Sequence, residues 1–148
     1  FASVKAAPVP RGTTKTFDAP ILWVLHAGHA WIGVGFILYG VGLVGAIPGT
    51  AALHVMTAGA IGTLTLGMMA RVARGHTGRS LEVSRLVASA FVLVTLAAVL
   101  RTVGPIFAPG AFHTTMVVSG LIWALAFAIY LVVFTPILFT PRPDGRPG

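Results

Sequence analysis

The stretch that decides the fold is residues 20–46, PILWVLHAGHAWIGVGFILYGVGLVGA, which contains no charged side chain. At about 1.5 Å of rise per residue, a helix of this length crosses a hydrocarbon core of about 30 Å. Lipid offers no water to backbone N–H and C=O groups, so a crossing segment of this kind must be helical. The stretch therefore predicts a transmembrane helix.

Three further apolar runs follow it. Thr50 comes directly after the turn at 47–49 and is a suitable N-cap for the second run, while Gly104 and Pro105 are expected to end the third. We predict an all-α integral membrane fold whose four transmembrane helices lie at about 20–46, 50–70, 83–103 and 111–139. Residues 1–19 are expected to form an N-terminal surface tail, and residues 140–148 a C-terminal cytoplasmic tail.

The composition excludes several classes of protein. The 148 residues are 56% hydrophobic and only 9% charged, with a mean hydropathy of +0.92, whereas soluble domains are about 25% charged. Without cysteine the chain has no disulfide, thiolate metal site or iron–sulfur cluster. Three acidic residues, Asp18, Glu82 and Asp144, make a glycosidase pair or a carboxylate-rich metal cage improbable.

The basic residues indicate sidedness. Nine of the ten lysines and arginines lie before the first run, around the link between the second and third runs, or after the fourth, and only Arg101 belongs to the opposite face. With an even number of spans, this bias predicts that both termini are cytoplasmic. Because the basic residues flank apolar runs, the expected partner is membrane lipid and not nucleic acid.

Four histidines fall inside or at the ends of the spans, where ionisable side chains are costly and usually functional. His26 and His29 share one face of the first helix at an i, i+3 spacing. Met68 and Met69 of the antiparallel second helix return to a similar depth, and imidazole with thioether suits copper or an axial haem position. The other interpretation is that the methionines are packing residues and each imidazole bonds a backbone carbonyl.

The other two histidines suggest a second cofactor site. His54 lies about one turn inside the non-cytoplasmic edge of the second helix, and His113 begins the fourth helix at nearly the same depth. Two imidazoles from different helices at matched depth are what a bis-histidine haem requires. His29 and His54 differ by roughly 10 Å in depth on ideal helices, so that pair is less suited to one ring.

The loop between the second and third spans carries His76 together with Arg71 and Arg79. His76 is a further candidate metal ligand. The arginines could hold haem propionates or lipid phosphates, although the positive-inside rule alone also accounts for them.

Glycines recur along the first helix at intervals of seven residues. Tight helix packing in lipid favours such small residues. A glycine-floored face could also admit a flat macrocycle beside His26 and His29. The two stripes are Gly28, Gly35 and Gly42, and Gly33 and Gly40.

Several segments resemble the NnrS family. The longest is ALHVMTAGAIGTLTLGMMAR at 52–71 followed by GHTGR at 75–79. WVLHAGHAW at 23–31, WALAF at 123–127 and PILFTPRPDGRPG at 136–148 are similar too. The resemblance extends from Trp23 to Gly148.

The resemblance implies a bacterial inner-membrane protein that binds haem, of b type, and copper, and that takes part in nitric oxide metabolism with nitric oxide as a ligand. His26, His54 and His76 fall on recurrent family motifs, whereas His29 and His113 match none. Family members are usually much longer, and this chain resembles their C-terminal part. It is therefore expected either to be a short form that completes its sites as a homo-oligomer or with other subunits, or to be one fragment of a longer chain. The alternative function is a non-catalytic accessory subunit of a larger respiratory or denitrification complex.

Overall fold

The computed structural model describes residues 19–145 and is helical throughout, with no strand in that range. The helices are α1 (Pro20–Leu43), α2 (Gly49–His76), α3 (Arg85–Phe107) and α4 (Phe112–Phe139), the last preceded by a 3-10 turn at Pro109–Ala111. Each is long and apolar enough to cross a membrane. The predicted all-α fold with four membrane-spanning helices is confirmed. The predicted tail at 1–19 lies outside the described residues except for Ala19.

Two helices extend beyond their predicted ends. α2 continues past residue 70 to His76, so that Arg71 and Arg74 are helical. Basic side chains favour a helix C-terminus, and their long stems let the charge leave the hydrocarbon, so the apolar length of a span does not limit its helix. α3 runs through Pro105, which is buried inside the helix. Proline is tolerated there because neighbouring helices can satisfy the groups that it frees.

α2 is not a uniform α-helix. Its first part, Gly49–His54, is α-helical, Val55–Ile61 is π-helical, and Gly62–His76 is α-helical again. Gly59 in the π-helical segment lies so close to α1 that a Cβ there would stand 3.0 Å from the Trp31 ring. Hydrophobic periodicity does not report such a change of register, and π-helical segments are frequent at functional sites.

Glycines determine how closely α1 and α2 approach. A Cβ on Gly28 would stand 2.5 Å from Leu64, and one on Gly35 would stand 2.7 Å from the sulfur of Met56. These two glycines thus serve helix packing, the first of the two predicted roles. Gly33 and Gly40 have no atom within 4 Å of an added Cβ, so their stripe faces away from the bundle.

The apolar core fills one half of the bundle. It lies where α1 and α3 begin and α2 and α4 end, around the fully buried side chains of Val24, Leu66, Phe91 and Phe134. Phe134 stacks on Tyr130 with ring centroids 4.5 Å apart. With lipid as solvent, this close packing rather than escape from water stabilises the contact between helices. The other half contains the buried or half-buried polar side chains of the spans.

The packing role of Gly28 leads to a prediction. We expect Gly28→Ala to lower the free energy of unfolding by about 1–3 kcal/mol relative to Gly33→Ala, because the first methyl group overpacks against Leu64 and the second enters open space. Unfolding of the two purified variants in the same detergent, followed by circular dichroism, measures the difference. Equal stabilities would contradict the α1–α2 contact.

Candidate functional site

The two histidines of α1 lie on its outer surface. His26 and His29 are both exposed, and Nδ1 of His29 is 2.7 Å from the carbonyl oxygen of Leu25. If Nδ1 carries the proton and donates to that carbonyl, Nε2 keeps its lone pair, which is the usual arrangement of a histidine that ligates a metal. In that tautomer, the hydrogen bond from Nδ1 to the backbone and a metal bond from Nε2 can exist at the same time.

The methionines of α2 return near these histidines, as predicted. A Cβ on Gly67 would stand 2.8 Å from Val24, so Met68 and Met69 lie within about one turn of His26 in depth. Met69 packs against the apolar core, whereas Met68 is 45% exposed. Of the two thioethers, Met69 thus has the packing role that was the alternative to ligation.

His54 lies inside the bundle. Its ring is half-buried, and its Nδ1 is buried without a hydrogen-bond partner of normal geometry in the structure. The ring lies close to α3, where both the main chain and the guanidinium of Arg101 are near it. Pro105, four residues further on, has no N–H to donate to the carbonyl of Arg101. The half-buried imidazole of His54 thus lies beside the Arg101 carbonyl, which receives no hydrogen bond from residue 105.

His113 lies nearer to the end of the bundle than His54 does. Thr115 packs beside Gly104, which places His113 past that glycine along α3, while His54 is level with Arg101. The matched depth of the two histidines stays a prediction. α3 packs against both the first turn of α2 and the start of α4, so it contacts the two segments that carry these histidines. His113 is exposed, whereas His54 is half-buried.

A cavity of about 300 Å³ lies between α2, α3 and α4, next to the π-helical segment. Its polar lining consists of Thr57, Arg101, Ser119 and the indole of Trp123, and its small residues are Ala58, Ala97 and Gly120. Arg101 donates from Nη1 to the carbonyl of Met116 at 3.4 Å and to the Ser119 hydroxyl at 3.5 Å. The cavity is the one place where a cationic side chain meets hydroxyl groups inside the spans that the structure describes.

Sequence reasoning did not select Arg101 as a site residue. It was counted only as the single basic residue of the opposite face. The available signal was its position, because an arginine inside the run 83–103 must be accommodated in hydrocarbon. Thr57 follows His54 by three residues and so lies on the same face of the helix, but sequence alone does not indicate which side chains of α3 and α4 it meets.

The predicted residues at the other end of the bundle are mostly engaged within the protein. Arg79 donates to the carbonyl of Ile137 at 3.4 Å and to the Thr140 hydroxyl at 2.8 Å, so it satisfies acceptors in the last turn of α4. His76 is the exposed last residue of α2, and its carbonyl accepts a 2.9 Å bond from Arg142. Arg71 is half-buried, and its side chain makes no hydrogen bond within the described residues.

The C-terminal segment closes this end. Arg142 forms two hydrogen bonds with Asp144, at 2.9 and 2.6 Å, and the Asp144 bond raises the pKa of the Arg142 guanidinium. Asp144 lies against Gly78, which has a φ of +66° and would place a Cβ 3.0 Å from the carboxylate. The segments GHTGR and PRPDG, which are far apart in the sequence, are therefore one docked unit.

No group of three or more histidine, aspartate or glutamate side chains that could hold a metal ion occurs among residues 19–145. A metal cage built from this part of the chain alone is thus not present. An axial ligand for haem needs one imidazole, and an exposed pair such as His26 and His29 can share a metal with a second protein. The donor set fits these two arrangements.

Fold and site together define a multi-pass helical membrane protein with histidines in its spans and one arginine lining an open pocket between three helices. The chain belongs to the NnrS family: the family model, described as NnrS protein, matches residues 10–142. This membership makes it a nitric-oxide-related protein. Searches of curated proteins and of solved structures found no match.

The docked C-terminal segment can be tested with two glycines of the same loop region. We expect Gly78→Ala to destabilise the protein by about 1–2 kcal/mol, because alanine is strained at a positive φ and its methyl group would press on Asp144. Gly75→Ala is the control, since it is helical with open space around it, and it should be neutral or stabilising. Thermal unfolding of both variants measures this, and equal loss in the two would contradict the docking.

Proposed function

We propose that this NnrS-family protein binds haem b through His54 and copper through His26 and His29, and that it serves the response to nitric oxide in the bacterial inner membrane. The observation that carries the haem assignment is the position of His54, whose half-buried ring lies inside the bundle beside the main chain of Arg101. An ionisable side chain inside a membrane span is costly and usually functional.

The haem would supply an iron centre whose free or exchangeable axial position binds nitric oxide. The role of this chain would be to hold the iron centre and to keep water away from it. His54 projects from the last turn before the π-helical segment, so its backbone is fixed by close packing of α2 on α1 through Gly35 and Gly59. A ligand mounted on such a rigid element keeps its orientation.

The number of imidazoles on the iron separates two roles. With His54 alone, the iron keeps an open position, which favours gas binding. With His113 or a histidine from a second protein as the other ligand, the centre favours electron transfer. His54 is half-buried within the bundle whereas His113 is exposed, which favours the first arrangement within one chain.

The copper assignment relies on the outer face of α1. His26 and His29 are exposed at a depth where the expected environment is lipid, and the bond between His29 and the Leu25 carbonyl leaves a nitrogen able to bind a metal. Met68 adds a partly exposed thioether at similar depth. Imidazole and thioether are ligands that copper prefers.

An accessory, non-catalytic subunit is the second candidate. It is favoured by the open stripe of α1, where Gly33 and Gly40 would let another membrane helix approach closely. Such a subunit would contain neither haem nor copper after purification and would migrate with an oxidase or reductase on a native gel. Arg71, still without a hydrogen bond in the described structure, would then be a lipid phosphate contact.

The haem assignment is tested by single alanine substitutions. We expect His54→Ala to lose haem, measured as the Soret band and the haem content per chain of the protein purified from membranes. His76→Ala, an exposed position at the opposite end of α2, is the matched control and should keep wild-type haem. Copper content should fall in His26→Ala and His29→Ala and stay unchanged in His54→Ala.

Two results would contradict this assignment. Full haem content in His54→Ala would show that another residue holds the iron. A wild-type protein with no Soret band in oxidised and reduced states would end the haem proposal and leave the accessory role.

A further inference from the structure

The cavity beside Arg101 contains an uncompensated positive charge. Among the described residues, no carboxylate pairs with Arg101. The ion pair in this part of the chain joins Arg142 to Asp144, at the other end of the bundle. A charged guanidinium in the hydrocarbon region is costly and normally finds a counter-charge. The described part of the chain does not provide one.

The hydrogen bonds of Arg101 leave most of its donors available. Both bonds come from Nη1 and are long, at 3.4 and 3.5 Å, whereas charge-assisted bonds to oxygen are about 2.7–2.9 Å. Nε and Nη2 donate to no acceptor within residues 19–145. A guanidinium has five N–H donors in a planar fork, which fits two oxygen atoms of a carboxylate or phosphate.

The surrounding residues leave space for such a group. The cavity of about 300 Å³ is bordered by Ala58, Ala97 and Gly120, and a Cβ on Gly120 would still be 3.9 Å from Nη1 of Arg101. The hydroxyls of Thr57 and Ser119 donate to the carbonyls of Leu53 and Met116. These hydroxyls make the lining polar, and the guanidinium provides the positive charge.

We propose that Arg101 and the cavity between α2, α3 and α4 bind a small oxyanion, a carboxylate or phosphate that presents two oxygens to the guanidinium. The π-helical segment Val55–Ile61 forms the α2 wall through Thr57 and Ala58, so the irregular part of the helix coincides with the site. The oxyanion either enters from water as a free ion or is the phosphate of an anionic lipid. The readouts that test this site do not require bound haem.

Trp123 lines the cavity and provides an optical readout. The full chain, purified in detergent without added lipid, is titrated with formate or inorganic phosphate while tryptophan fluorescence and thermal unfolding are followed. Sodium chloride at equal ionic strength is the control. A second series replaces the free anions by mixed micelles containing phosphatidylglycerol, with phosphatidylcholine as the zwitterionic control.

A saturable response to the free anions would support the proposed site and identify its ligand as an ion from water. A response to phosphatidylglycerol alone would support the site and identify its ligand as a lipid phosphate. We expect Arg101→Gln to weaken the response by roughly tenfold or more, since charged hydrogen bonds are lost. Arg101→Lys should give a smaller loss because it keeps the charge without the fork. Arg85→Gln, an exposed arginine at the start of α3, should bind as the wild type does.

One variant tests the cavity without changing its charge. Gly120→Val should fill the space beside Nη1 and weaken binding while Arg101 remains, which keeps the test valid if Arg101→Gln does not fold. No saturable response in either series would overturn the proposal. So would equal responses in the wild type, Arg101→Gln and Gly120→Val.

Discussion

The structure depends on one constraint, the absence of water around polar groups in the hydrocarbon region. Backbone groups meet it by forming four helices. Side chains meet it in two ways, either through a local carbonyl, as in the bond from Thr102 to Ala98, or by facing the interior of the bundle. Arg101 is the extreme case, because its charge requires both a protected position and a partner.

This constraint divides the bundle into two halves with different properties. In one half, Phe91, Phe134 and Leu66 pack in a core of aliphatic and aromatic side chains, and the C-terminal segment closes the end through Arg79 and Arg142. In the other half, small residues replace large ones and a cavity remains. The rigid half holds the helices in register, which lets the polar half keep space for a ligand or cofactor.

The fold could be predicted from sequence because three of the four predicted spans contain no charged residue and the third contains only Arg85 and Arg101. An apolar run of such length crosses a membrane as a helix. Helix ends were less predictable. Arg71 looked like the end of a span, yet a helix can continue into the interface, and Pro105 looked like a stop, yet neighbouring helices tolerate it. The π-helical segment has no periodic signature, so it could not be foreseen.

The candidate site was only partly predictable. The histidines were evident because imidazoles in apolar runs are rare, but their surroundings depend on packing between helices. His54 lies beside Arg101, while His113 lies further along α3 and His26 and His29 are on the outside. Arg101 was visible in the sequence, but its role required knowledge that Thr57 and Ser119 line the same cavity.

The site depends on one arrangement, in which the π-helical part of α2 and the first half of α4 face each other across this cavity. Since the chain has no cysteine, Thr57→Cys with Ser119→Cys gives a clean pair for a short bifunctional thiol reagent in native membranes. We expect efficient intramolecular cross-linking of this pair. We expect none for Thr57→Cys with Leu121→Cys, because Leu121 is 66% exposed on α4. Equal cross-linking of both pairs, or none in the first, would contradict the arrangement on which the site depends.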